Sequence, residues 1–236
     1  MFTFAATQSP IKKLWRDGLA FYAASFAKMW YLILVLAVIS VVMQYCSSLI
    51  PIDNLSKVKI VFNLPVVLWI ITVIISLLVQ IYCVAVIYHR LYNLGNNRLI
   101  SLNVSLQKIQ KRYSSVLVLS LLVMIVVLLG IVALVIPGIF LAIALMFSLP
   151  SLICDEMTVK QAITASFKLS WGNWWRSFAV MIPSLILIAL VSSIMSCFNL
   201  NSLRMQLLDT LLFTLISSLW YPFILVQFND LRLRKR

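Results

Sequence analysis

From Ser114 to Cys154 the chain runs for 41 residues without one charged side chain, and a Pro137-Gly138 pair stands in the middle of that run. A transmembrane helix needs about 20 apolar residues at about 1.5 Å of rise each, so the run is long enough to cross hydrocarbon twice. Pro137 and Gly138 therefore read as the hairpin between two spans, one residue fixing a dihedral and the other relaxing one. Spans of this length leave no polar loop. The turn is expected within the outer leaflet, covered by neighbouring helices that satisfy its backbone.

The rest of the chain repeats the theme. It is 63% hydrophobic and 11% charged, too few charges to coat a soluble domain. Apolar runs place spans at about 29–50, 65–88, 114–136, 138–154, 177–198 and 205–228, which make one all-α integral domain over 1–236. The basic residues test the hairpin. With six spans and both ends inside, 16 of the 19 lysines and arginines fall on the cytoplasmic side, leaving Lys57, Lys59 and Arg204 outside. A single crossing of the long run would split them 10 against 9, and the cytoplasmic bias of lysine and arginine selects the first arrangement. The net charge of +13 is then a matter of topology and of anionic headgroups, not a nucleic-acid signal. Lys12, Lys13 and Arg16 precede a full-length span with no small-residue cleavage site after it, so the first span is expected to be a retained anchor.

Three basic segments between the spans have the pattern of helices lying in the cytoplasmic interface. The first opens at Ser9-Pro10, read as an N-cap and first-turn proline, and carries Ile11, Leu14, Trp15, Tyr22 and Phe26. The second follows Gly95-Asn96-Asn97 and carries Leu102, Leu106, Ile109 and Tyr113. The third starts at Thr158 and Gln161 in capping-box spacing, with Asp155 and Glu156 at the favourable end of its dipole. Phe167, Trp171 and Trp174 form its apolar stripe, and Lys160, Lys168 and Arg176 are placed to meet lipid phosphates. The alternative is a lid in which the same aromatics pack on span ends. An interfacial helix followed by two spans, three times over, is either a pseudo-threefold repeat or the ordinary alternation of a helical bundle.

Within the spans little could perform chemistry. Asp209 stands near the outer end of span six, where a carboxylate suits the helix dipole, and His89 reads as an interfacial belt residue with no second ligand at metal spacing. Cys46, Cys83, Cys154 and Cys197 read as small buried hydrophobes, with a Cys46–Cys197 bridge as the alternative. Polar residues do align: Ser40, Gln44 and Ser48 on span one; Thr72, Ser76 and Gln80 on span two; Ser184, Ser192 and Ser196 on span five; Thr210, Thr214 and Ser218 on span six. They serve either close helix packing or a cavity among spans one, two, five and six, of which Gln44, Thr72, Ser76, Gln80, Ser192 and Thr214 are the candidate lining.

Residues 135–178 resemble the signature region of the bacterial YciC-like family of inner-membrane proteins. The likeness rests on Pro137-Gly138-Ile139 between spans, Pro150, the acids Asp155 and Glu156, and the register of Ala162, Ser166, Leu169, Trp171 and Asn173. A related pattern is associated with membrane regions fused to glycerophosphodiester phosphodiesterases. The resemblance implies a bacterial cytoplasmic-membrane protein. The expected function is non-catalytic, in envelope or membrane maintenance, with transport of a lipid or small solute as the alternative. The expected partners are membrane lipids, anionic ones included, and a membrane protein, with no nucleic acid and no cofactor or metal.

Overall fold

The computed structural model describes residues 3–5, 7–48, 64–196 and 203–235. They form ten helices and no strand: α1 (Ile11–Ser48), α2 (Leu64–Gly95), α3 (Leu102–Lys111), α4 (Tyr113–Ala133), α5 (Val135–Leu145), α6 (Ser148–Cys154), α7 (Val159–Ser170), α8 (Trp174–Ser196), α9 (Leu203–Ser217) and α10 (Trp220–Arg234). Six segments are long and apolar enough to cross a membrane: Ile11–Ser48, Val66–Gly95, Tyr113–Ala133, Val135–Cys154, Trp174–Met195 and Leu203–Arg234. The all-α, six-span fold expected from the sequence is thus the fold of the protein. The first basic segment is not a separate interfacial helix, because nothing between Ile11 and Ser48 interrupts the 38-residue α1.

Prolines place the breaks between the short helices. Pro137, Pro150 and Pro222 are each the third residue of a helix, α5, α6 and α10. A proline lacks the N–H for the carbonyl four residues back, and its ring crowds that carbonyl. Those carbonyls belong to Ala133, Met146 and Ser218, where the preceding helices end. Pro183 behaves differently and lies inside a continuous α8. The carbonyl it strands, that of Ala179, accepts the Trp15 indole N–H at 3.2 Å.

The same rule corrects the hairpin. Its turn is Leu134, an extended residue (φ −163°, ψ 136°), and Pro137 and Gly138 belong to the first turn of α5. Gly138 supplies proximity: a Cβ there would lie 2.6 Å from the Ile131 nitrogen, and one on Gly130 would lie 3.0 Å from the Gly138 Cα. Neighbouring helices do not cover the tip. Val132, Leu134, Val135 and Ile136 are 77%, 67%, 62% and 80% exposed. The turn instead supplies its own hydrogen bonds, Leu134 N–H to the Gly130 carbonyl (3.0 Å) and Gly138 N–H to the Leu134 carbonyl (3.2 Å), while Pro137 has no donor to leave unpaired. A tip made this way can be apolar throughout.

The core lies toward the end of the bundle where the two termini meet. Phe21, Phe147 and Phe228 are wholly buried there, with the last two stacked at 6.2 Å. Within the last span, α10 buries residues from Pro222 to Leu231 whereas α9 buries none. Exposed leucine, isoleucine and valine side chains cover the outsides of α1, α2, α4 and α8, the surface of a chain whose solvent is lipid.

Candidate functional site

At the end of the bundle holding the termini, the charges are used in pairs. Asp230 is 2% exposed, and its carboxylate meets Arg176 at 2.9 Å, Arg234 at 2.9 Å and the Ser9 N–H at 2.7 Å. Arg176 and Arg234 also donate to the Ser9 carbonyl. Ser9 is therefore not an N-cap: its backbone is bound into this clamp, and Pro10 carries the carbonyl that starts α1. Asn229 fastens the Ala5 carbonyl at 3.0 Å, and the Phe4 N–H reaches the Gly95 carbonyl at 3.0 Å. Beside the clamp Arg232 pairs with Asp155 at 2.9 Å and lies over the Phe228 ring. Burial pushes the Asp155 carboxyl up, against the opposing pull of Arg232. Lys108 meets Glu156 at 2.5 Å and its hydrogen bond holds that carboxyl below the usual range. Arg112 donates to the carbonyls of Leu152, Glu156 and Met157. Asp155 and Glu156 thus serve ion pairs rather than only the α7 dipole.

Helix α7 divides the lipid-contact candidates. Thr158 and Gln161 do cap it, the Thr158 N–H donating to Gln161 Oε1 at 3.0 Å, and Gly172 in the left-handed region (φ +82°) ends it. Its buried face is Ala162, Ser166 and Ser170. The break after α5 leaves carbonyls of that helix without intrahelical donors, and the two serines supply them: Ser166 Oγ donates to Ala144 at 2.7 Å and Ser170 Oγ to Ala144 at 3.2 Å. The aromatics flank this face. Lys160, Lys168 and Trp171 are exposed, Trp171 by 67%, and Phe167 is half-buried and stacked on Trp171. Trp174 does not join them. It donates to the Phe140 carbonyl at 3.3 Å and stacks on Phe140 and Phe178. Arg176 is likewise withdrawn from lipid, because the buried Asp230 holds it.

The polar stripes come together in part. A cleft of about 410 Å³ is lined by Ser40, Gln44 and Ser47 of α1, Gln80 of α2, and Thr210, Thr214 and Ser217 of α9, with Leu36, Val84 and Tyr221 toward the core end. Span five does not line it. Ser184 is buried on its own helix, donating to the Met181 carbonyl, and Ser192 is exposed. Thr72 bonds back to the Leu68 carbonyl and Ser76 is buried, both away from the cleft. Ser40, Ser47, Thr210, Thr214 and Ser217 all give their hydroxyl protons to carbonyls of their own helices. The cleft therefore presents oxygen acceptors together with the amides of Gln44 and Gln80, and among the described residues that line it there is no charge.

His89 is buried among the helices, its Nδ1 lacking a partner among the described residues and Asn93 beside its Nε2 at 3.3 Å. Cys46, Cys83 and Cys154 are free thiols, and Cys197, with the bridge suggested for it, lies outside the described residues. Asp209 is half-buried on α9. No group of three metal-ligating side chains occurs among the described residues. Sequence reasoning missed Asp230, Asp155–Arg232 and Ser151; only the four-residue spacing of Asp230 and Arg234 could have pointed to the clamp. Fold and surface define the class, a multi-pass α-helical membrane protein. No family model, curated protein or solved structure matches the chain.

Proposed function

We propose that the protein is a non-catalytic component of a bacterial cytoplasmic membrane that acts in envelope or membrane maintenance by holding lipid or a partner protein at the end of the bundle carrying its termini, which face the cytoplasm. One observation carries this reading: the exposed Trp171, stacked on the half-buried Phe167 at the end of α7, is bordered by Lys168 and Lys235. Aromatic rings beside cations suit the headgroup boundary, where the ring has an apolar body and the cation meets phosphate. The placement of 16 of the 19 basic residues supports the orientation, and the resemblance of residues 135–178 to the YciC-like family supports the membrane. The test is native mass spectrometry of full-length protein extracted in mild detergent. Retention of phospholipid or of a defined partner supports the reading, and release as bare protein from every mild detergent overturns it.

The cleft favours a second reading, transport of a small polar solute or lipid headgroup along α1, α2 and α9. Flux into proteoliposomes that Gln80→Leu abolishes without loss of protein would select it.

A further inference from the structure

Two cavities meet on α7. One, of about 640 Å³, is lined by Ser151, Asp155, Met157, Ala165, Lys168, Leu169, Arg232 and Lys235. The other, of about 710 Å³, is lined by Ile163, Thr164, Phe167, Trp171 and the same Lys168 and Lys235. Three cations thus face the first cavity against one carboxylate, and Arg232 already holds that carboxylate at 2.9 Å. The Lys168 ammonium has no hydrogen-bond partner among the described residues, and Lys235 gives one to the Trp171 carbonyl at 3.1 Å. Ser151 is 0% exposed and its Oγ has no partner among the described residues. A buried hydroxyl in that state is rare in a folded protein and calls for a group to meet it.

We propose that Lys168, Lys235 and Arg232, with the Ser151 hydroxyl beneath them, bind the phosphate of one anionic glycerophospholipid whose acyl chain lies along Ile163, Phe167 and Trp171. This rests on the lipid-contact reading above and gives it a site and a ligand class. The two lysines supply the attraction, since Asp155 occupies Arg232 and leaves it mainly to fix the far wall. Phosphate binds well where several donors converge beside fixed positive charge. The apolar cavity decides between a lipid and a free ion: it borders the charged one, sharing Lys168 and Lys235 with it, and a bare phosphate has no use for it. Trp171 and Phe167, stacked at 6.1 Å, make a flat wall suited to a chain.

The test uses full-length protein in mild detergent, titrated separately with phosphatidylglycerol, phosphatidylcholine and inorganic phosphate and followed by native mass spectrometry. One phosphatidylglycerol adduct is expected to form in preference to phosphatidylcholine. Lys168→Gln combined with Lys235→Gln should weaken it at least tenfold, and Ser151→Ala severalfold. Lys168→Arg with Lys235→Arg should retain it, which guards against a folding defect. Trp171→Ala should weaken the lipid while leaving any binding of inorganic phosphate unchanged. If the glutamine variant, melting like the wild type, holds phosphatidylglycerol as tightly as the wild type, this site is wrong while the lipid-contact reading stands. If the wild type holds no phospholipid at all, both fall. If inorganic phosphate binds as strongly as phosphatidylglycerol and Trp171→Ala changes neither, the ligand is the free ion and the lipid assignment is overturned.

Discussion

Trp15 shows how one side chain repairs another residue's defect. Pro183 strands the Ala179 carbonyl near the start of α8, and the Trp15 indole, more than 160 positions earlier in the chain, gives it a donor (|i−j| = 164). Trp15→Phe removes the indole N–H together with part of the ring, so the expected loss is about 1–3 kcal/mol, the unpaired part-buried carbonyl adding to the lost packing. Thermal inactivation in detergent reads it, and Trp15→Phe combined with Pro183→Ala should recover most of the loss. At the surface, Glu156 gives a pH signature. Its folded pKa lies below the ordinary 4.5 because Lys108 binds it, so the stabilisation is present above that value and is lost as pH falls through the folded one. Lys108→Met should therefore lower stability at neutral pH, by no more than about 1 kcal/mol for so exposed a pair, and the difference from the wild type should vanish in acid. Asp155 has the opposite sign. Burial raises it, so its contribution is present below its unfolded value and fades as pH rises through its folded one.

Among the elements, the α4–α5 hairpin depends most on a single position. Gly138 leaves no space for a side chain against the Ile131 backbone, and backbone cannot move aside as a side-chain tip can. Gly138→Val is expected to spread the two helices and cost about 1–3 kcal/mol or more, the usual range for forcing extra atoms into a packed contact. Heat inactivation of the variant in detergent reads the loss, and Gly138→Ala should fall between the variant and the parent protein. The sequence makes the existence of this hairpin legible, because 41 uncharged residues cannot be one span. It misleads on the location of the turn, because a proline acts on the carbonyl four residues behind it. The same offset explains the ends of α5 and α9. In α7 the periodicity of Phe167 and Trp171 is plain, but the buried face is the one whose serines bond carbonyls at the end of α5, and that end is not marked in the sequence of α7 itself. The cleft was half legible for a related reason: alignment on one helix says which residues share a face, not which neighbour that face meets.

For the whole molecule, the clamp around Asp230 joins the N-terminal segment, the start of α8 and the end of α10. Asp230→Asn keeps the shape and leaves the part-buried Arg176 without its counter-charge, so a loss of up to about 3–5 kcal/mol is expected. The readout is heat inactivation together with protease cleavage ahead of α1, which should rise in the variant and stay low in Arg234→Lys, where Arg176 still pairs. The two halves of this contact are also separated in time. Asp230 is 221 residues after Ser9. At about 5–20 residues per second of synthesis, it is made roughly 10–45 s later. The segment around Ser9 must therefore wait for the synthesis of Asp230 before it has a place to dock, and until then it stays open to proteases.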